Sequence, residues 1–298
     1  MRIAVVHDRP TPPWSARQLI IALEQLGVTA LYIRPSELCS VIDGERSYVA
    51  YTSTLTPFEV DGVLLRDIGF AVSLEVLLRR VDVFKHLEMT GIPVVNKVEA
   101  LLTARDKYLS LLILARNGIR VPRTAVVEDV YAAMRFSQMW GQLVVKPMIG
   151  TMGFGAVKAD SSDIVYVVGR TLQRVGQPIY VQQYIDKPNR DIRVFVVGEE
   201  VVAAYYRVQT SSTSWKTNIA QGAKPVPMNR VDKELEDIAI KAVKTLGLDY
   251  GGVDVAESGE GYVVLEVNAS PNWRGLTLAT GINPAYRLAH YIVEKAKR

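Results

Sequence analysis

One cysteine, Cys39, in 298 residues leaves no intramolecular disulfide to hold the fold, and a reducing compartment suits such a chain. The three histidines, His7, His86 and His290, lie too far apart in sequence to show metal-ligand spacing. No apolar run approaches the ~20 residues that a helix needs to cross a bilayer. The strand-like run Ile3 to Val6 is broken at once by His7-Asp8-Arg9-Pro10, unlike a signal peptide, and the cytoplasm is the expected location. Charge of one sign is also scarce. The chain carries 35 Lys and Arg against 31 Asp and Glu, spread without a basic block or interleaved aromatics. Nucleic-acid binding therefore has little support, while the net +4 suits a small anionic ligand. No Gly-Lys-Ser/Thr opens a helix, and no GxGxxG follows the first strand. The Walker phosphate loop and the hydride-transfer dinucleotide site both lack their motifs.

What is present is an α/β pattern long enough for two or three packed domains. Over residues 1–96, short apolar strands (Ile3–Val6, Leu31–Ile33, Val60–Leu65, Ile92–Val95) alternate with helical stretches from Ser15 and from Ser73 to Met89. That alternation predicts a small parallel sheet. A helix is expected over Val98 to Asn117; its Asp106-Lys107 pair reads on its own as a solvated surface feature. Further helices are expected over Val130–Trp140, Asp163–Val175, from Asp232 to Gly247, and from Asn283-Pro284 onward. Residues 209–223 read as a polar loop over a site, and Pro271 to Gly281 as a second loop. The domain division expected is 1–96, 97–185 and 186–298.

Two stretches carry chemistry. In Leu143 to Asp160 a strand ends at Lys146-Pro147, and Gly150, Gly153 and Gly155 follow in a short loop before the next strand. Bare glycine amides there could close over a phosphate with Lys146 reaching in; the plainer alternative is a glycine hairpin without a ligand. In Gly251 to Gly275 two strands flank Ser258-Gly259-Glu260-Gly261. A hairpin symmetric about residue 260 sets Asp254 opposite Glu266, with Asn268 on the same face and Val253, Val255, Val263, Leu265 and Val267 on the other. Adjacent carboxylates repel, so a positive charge is expected between them. Two carboxylates and an amide oxygen are hard donors that favour Mg²⁺ over zinc. A solvated strand face with scattered acids is the plainer alternative.

Taken together, ARDKYLSLLILARNGIRVP (104–122), VVKPMIGTMGFGAV (144–157), VQQYIDKPNRDIRVFVVGEEVVAAYYR (181–207) and GGVDV…VVLEVNASPNWRG from residue 251 resemble the ATP-grasp ligases, specifically the RimK-like amino-acid ligases, over nearly the whole chain. The resemblance implies an ATP-grasp fold behind an N-terminal parallel-sheet domain, with ATP as co-substrate and one or two Mg²⁺ or Mn²⁺ ions. It implies that Lys107 and Lys146 contact the α- and β-phosphates under a lid formed by Gly150, Thr151, Met152, Gly153, Phe154 and Gly155. Gln183 and Tyr184 would line the adenine, Asp191 hold the ribose, and Asp254, Glu266 and Asn268 bind metal. Arg207 and Asn218, with Lys216 beside them, would approach the transferred phosphoryl group. Arg66 and Arg193 would face substrate. Relatives commonly carry Gln-Glu where this chain has Gln182-Gln183, and Gly-Gly where it has Gly222-Ala223; the second departure puts the acceptor loop's backbone in question, because Ala cannot take every conformation open to Gly.

The activity implied joins an amino acid, L-glutamate first among them, to an acceptor carboxylate through an acyl phosphate. NASPNWRG resembles the branch that glutamylates a pterin cofactor or a ribosomal-protein tail more than the branch acting on an amino-group carrier protein. A catalytically silent nucleotide-binding regulator is the non-enzymatic alternative, and the filled metal-ligand positions stand against it. A homo-oligomer is compatible with the sequence.

Overall fold

The structure is a computed structural model that describes residues 1–69, 72–148, 155–211 and 215–298. Helix α1 (Trp14–Gln25) joins β1 (Arg2–Val6) to β2 (Thr29–Ile33). An antiparallel ribbon of β3 (Leu38–Asp43) and β4 (Arg46–Tyr51) precedes β5 (Gly62–Leu65), and α2 (Leu74–Met89) leads back to β6 (Val94–Val95). The sheet is parallel, in the order β2-β1-β5-β6, as the alternation predicts. The ribbon was not anticipated. It is largely exposed, with Ile42 at 83%, so it carries no strong inward–outward pattern.

The single helix expected over 98–117 is two. Asp106 ends α3 (Val98–Arg105) and caps α4 (Lys107–Arg116), its carboxylate accepting from the Tyr108 and Leu109 amides at 3.0 and 2.9 Å. A side-chain acceptor that satisfies free amides at a helix start favours a break there. Lys107 thereby becomes the first residue of a helix instead of a mid-helix surface lysine.

The next segment is an antiparallel sheet, β7-β10-β8-β9, built from β7 (Thr124–Val127), β8 (Leu143–Lys146), β9 (Val157–Ala159) and β10 (Ile179–Gln183). Helices α5 (Val130–Trp140) and α6 (Ser162–Arg174) pack on it around a core of their own that includes Val130, Val145, Val165 and Val181. The remaining chain forms β11 (Arg190–Val197), β12 (Glu200–Val208), β13 (Lys224–Pro227), α7 (Lys233–Thr245), β14 (Tyr250–Ser258), β15 (Gly261–Asn268), α8 (Arg274–Thr280) and α9 (Pro284–Ala296). Its sheet is β13-β12-β11-β14-β15. Helix α8 lies where a loop was expected. Helix α9 starts as the sequence indicates, with Asn283 accepting from the Ala285 amide, and packs Leu288, Ala289 and Ile292 against Ile3, Leu19 and Leu23. No helix among the described residues is long and apolar enough to cross a membrane.

The β14–β15 hairpin meets one expectation and corrects another. Asp254 pairs with Glu266, and Gly252 with Asn268. The turn, however, is the two-residue Gly259-Glu260, with Ser258 opposite Gly261, a register one residue short of the expected one. A bulge between Asp254 and Val255 absorbs the difference. It accommodates Leu265 as an extra residue, which bends the strand locally. Leu265 consequently faces the cavity beside Glu266, while Val264 joins Val253, Val255 and Val267 in the core.

Asn96, fully buried just after β6, ties the parallel sheet to this hairpin. Its Nδ2 donates to the Tyr250 and Ala269 carbonyls at 2.9 and 2.8 Å, and its Oδ1 accepts from the Asp249 and Tyr250 amides at 2.6 and 3.0 Å. A leucine of similar size would leave four buried backbone groups unpaired. Asn96→Leu is expected to lower unfolding free energy by about 3 kcal/mol or more, read as a lower urea midpoint at unchanged slope.

Candidate active site

A cavity of about 700 Å³ opens between the β7–β10 sheet and the β11–β15 sheet. Lys146, at the end of β8, and Gln182, on β10, form one wall. The strand face carrying Asp191, Arg193, Arg207, Asp254, Glu266 and Asn268 forms the other. The segment 215–220 and the approach to α8 lie across it.

Register brings the charged floor together. Across β11 and β14 Arg193 sits opposite Asp254, and across β11 and β12 Asp191 sits opposite Arg207. Arg193 donates through Nε and Nη2 to both Asp254 oxygens, the Nη2–Oδ2 contact being 2.8 Å. Arg207 donates to Asp191 Oδ1 and Oδ2 at 2.6 and 2.9 Å, and its Nη2 lies 2.9 Å from Asp254 Oδ2. All four side chains are buried. These guanidiniums supply positive charge to Asp254, one member of the Asp254–Glu266 pair. Burial alone would raise the Asp254 carboxyl, but Arg193 and then Arg207 outweigh it and hold the group at about 2. Asn268 donates from Nδ2 to Glu266 Oε1 at 3.1 Å, which orients its amide.

Opposite this floor, Lys146 Nζ donates to Gln182 Oε1 at 3.1 Å and lies 4.9 Å from the centre of the Tyr180 ring. Burial brings the ammonium down to about 8, against the pull of Glu266. Lys107 Nζ donates to the Met148 carbonyl at 3.1 Å; burial lowers it too, and Glu266 again opposes. Two lysines thus converge toward Glu266 from α4 and β8. Gln183 and Tyr184 line the cavity, with the Tyr184 ring edge-on to Trp215 at 6.0 Å and Lys158 Nζ 3.8 Å from its centre.

Asp191, the expected ribose contact, accepts three hydrogen bonds, two from Arg207 and one from the Thr217 hydroxyl. About four lone pairs are available to a carboxylate, so it retains roughly one for a ligand. Lys216 and Asn218 lie on the covering segment and line the cavity. Arg66 does not. It is buried beneath the site, donating to the Tyr250 hydroxyl at 2.8 Å and the Pro271 carbonyl at 2.7 Å, with its guanidinium 4.7 Å from the Trp273 ring centre. Its contacts brace the turn into α8, and it is not among the residues that line the cavity. Gly155 has φ +76°, and a Cβ there would come within 3.1 Å of Pro147 Cδ, so glycine is required. Gly150, Thr151, Met152, Gly153 and Phe154 lie outside the described residues.

Sequence reasoning missed Gln182, Lys187, Trp215, Thr217 and Leu265, all of which line the cavity. Gln182 could have been found, since it shares the face of β10 that carries Tyr180. Leu265 could not, because only the bulge turns it inward.

Asp254, Glu266 and Asn268 supply hard oxygen donors from adjacent strands, facing two lysines, a set that fits Mg²⁺ with substrate oxygens completing its shell. Among the described residues no three His, Cys, Asp or Glu side chains form a metal-holding group, so an all-protein cage is not what the site offers.

A family model for the RimK-like ATP-grasp domain matches residues 104–292, from the end of α3 into α9. The chain belongs to the RimK-like ATP-grasp family. It is 30% identical to the tetrahydromethanopterin:alpha-L-glutamate ligase of Methanococcus maripaludis, over 100% of this chain and 99% of that one. It is 32% identical to a probable alpha-L-glutamate ligase of Legionella pneumophila, over 100% and 97%. The ATP-grasp ligase PsnB, solved with a minimal precursor, Mg and ADP, shares the fold at a TM-score of 0.76 and 21% identity, covering 99% of this chain and 98% of that one. These relatives are ligases by name, and this RimK-like chain aligns with the first two along essentially their whole length.

The charge pairs of the floor make a stability prediction. Asp254→Asn leaves the buried Arg193 guanidinium without its carboxylate and takes from Arg207 one of its two acidic partners, and it is expected to cost about 3 kcal/mol or more. A carboxyl held low stabilises the fold above its unfolded value and loses that contribution as pH falls toward about 2. Urea midpoints of the two proteins should therefore differ fully above about pH 4 and converge in stronger acid.

Proposed function

We propose that this protein is an ATP-dependent carboxylate–amine ligase that adds L-glutamate to a carboxylate of a small cofactor, with a pterin favoured and a protein tail second. One observation carries the reading. Two partly desolvated lysines face a cluster of hard oxygen donors across one cavity, with buried arginines between the donors and the covering segment. The names of the full-length relatives support the choice of glutamate and of a pterin acceptor.

On this reading Lys107 and Lys146 neutralise the α- and β-phosphates, and Gln183 and Tyr184 border the base. Asp254, Glu266 and Asn268 would hold Mg²⁺, which when bound offsets phosphate charge. The acceptor carboxylate attacks the γ-phosphorus, the bond to the β-phosphate oxygen breaks, and ADP leaves. Arg207, Lys216 and Asn218 steady the transferred group, and Arg193 offers a second guanidinium to an anionic substrate. The resulting acyl phosphate is attacked at its carbonyl carbon by the glutamate amine, which loses a proton as inorganic phosphate departs. A closed cavity matters because water would otherwise hydrolyse the intermediate. No side chain needs to act as a nucleophile. The division at residues 96 and 185 then assigns the parallel sheet to framing the acceptor side, the β7–β10 sheet to the nucleotide and the last sheet to the metal.

The decisive experiment incubates the protein with ATP, Mg²⁺, glutamate and a pool of pterin acids and tail peptides, and reads product mass. A gain of one or more glutamyl units with stoichiometric ADP is the expected result. Glu266→Gln should nearly abolish ADP formation while its far-ultraviolet circular dichroism stays that of the wild type. ADP release without any acid acceptor, unaffected by glutamate, would overturn the ligase reading.

Lys146 gives the nucleotide site a pH signature. Its ammonium loses its proton at about 8 in the free protein, and phosphate binding favours the charged form. Affinity for ADP should be nearly flat below that value and fall by up to about tenfold per pH unit above it, because binding must then take up a proton. Calorimetric titrations between about pH 7 and about pH 9.5 test this, and Lys146→Gln should weaken binding and flatten the profile.

A further inference from the structure

The segment between β12 and β13 has few apolar side chains, yet among its described residues two polar ones, Gln209 and Thr217, are buried at 6% and 5% exposure. Their contacts are specific. Gln209 Nε2 donates to the Lys216 carbonyl at 2.6 Å, its Oε1 accepts from the Ser211 amide at 2.9 Å, and its own amide donates to the Asn189 carbonyl at 2.8 Å. The Thr217 hydroxyl donates to Asp191 Oδ2 and receives Lys187 Nζ at 3.4 Å. Lys187 Nζ also donates to the Arg190 carbonyl at 3.0 Å. The backbone just before Thr217 is therefore held from one side and the Thr217 side chain from another. Lys216 and Asn218 flank that pinned residue.

The anchor itself is fixed. Asp191 is gripped by both arms of Arg207, and the same Arg207 reaches Asp254. A continuous line of charged contacts runs from the hairpin, through Arg207 and Asp191, to one hydroxyl on the covering segment. We propose that Thr217 is a positioning residue: its hydroxyl clamps the segment carrying Lys216 and Asn218 onto Asp191, and through Arg207 registers it against the Asp254 face. This rests on the ligase reading for its kinetic consequence, but not for its structural one.

The chemistry of the position is narrow. Threonine and serine bring a donor on a one-carbon arm that meets a carboxylate already holding two guanidinium bonds. Valine has the same shape but sets a methyl group against a buried anion, which both removes a charge-assisted hydrogen bond and desolvates the acceptor. Loss of the Thr217 hydroxyl leaves Asp191 held by both arms of Arg207, so its effect should fall on the acceptor step that Lys216 and Asn218 serve and leave ATP binding largely intact.

The test compares Thr217→Val and Thr217→Ser with the wild-type full chain. Amide hydrogen exchange in the valine variant should quicken by about tenfold or more across residues 216–223, while β11 and β14 keep their protection. The KM for the glutamate acceptor should rise by about tenfold, with the KM for ATP changed by less than about threefold. Serine should restore both. Unchanged exchange in the valine variant, exchange raised equally throughout the β11–β15 sheet, or both KM values rising together would overturn the proposal. The exchange experiment needs no substrate. A wild-type protein inactive with every acid offered would thus overturn the ligase reading, while the exchange result still decides whether Thr217 clamps the segment.

Discussion

The site depends on a checkerboard of buried charge. Asp191, Arg193, Arg207 and Asp254 occupy neighbouring positions on three strands, and each acid touches at least one guanidinium. Taking such groups out of water costs several kcal/mol each, and only close, multiply bonded partners offset it. Strand register is therefore not free to drift. A slip of one residue between β11 and either neighbour would turn the charged side chains of the slipped strand to the opposite face, burying them in the valine core and leaving their partners unpaired. Apolar residues and ion pairs thus enforce the same pairing from the two faces of one sheet.

Much of this was legible beforehand, for identifiable reasons. Asp254, Glu266 and Asn268 alternate with valines, and period-2 alternation reports which residues share a face. The parallel sheet announced itself through short apolar runs separated by helices. Partners are harder to read than faces. Nothing local in the sequence pairs Arg193 with Asp254 across 61 residues, or tells that Arg66 lies under the site against Tyr250 and Trp273. Lys107 was legible as a site residue only through resemblance, because the cap that turns it into a helix start needs Asp106 to be read as a break within an apolar pattern. Thr217 was hidden among other polar residues of a loop, where composition does not separate an anchored hydroxyl from a solvated one.

The first and last sheets are also bound to each other by contacts that composition does not reveal. Asn96 satisfies four backbone groups of the β14 start and the segment after β15, while Arg66 and the Ser270 hydroxyl close the same junction from the end of β5. Helix α9 lays the C-terminal segment on the first sheet through an apolar seam shared with α1. The turn leading from the acids of β15 into α8 is thereby held by the N-terminal layer, so a layer with no acidic donor at the metal face still governs where that face ends.

The bulge at the base of the β14–β15 hairpin has a consequence for how this protein can change over generations. Everything on the turn side of it is paired in one register and everything on the site side in another, and β11 holds the site side through Arg193 and Asp254. Insertions at Gly259-Glu260 can therefore lengthen the arm without displacing Glu266 or Asn268. Removing Leu265 would straighten β15 and keep Asp254 opposite Glu266, at the loss of one apolar wall residue beside the acid. The tip and the acid-bearing end of the hairpin are thus separable, and Leu265 is the apolar wall residue that the bulge sets beside the carboxylate.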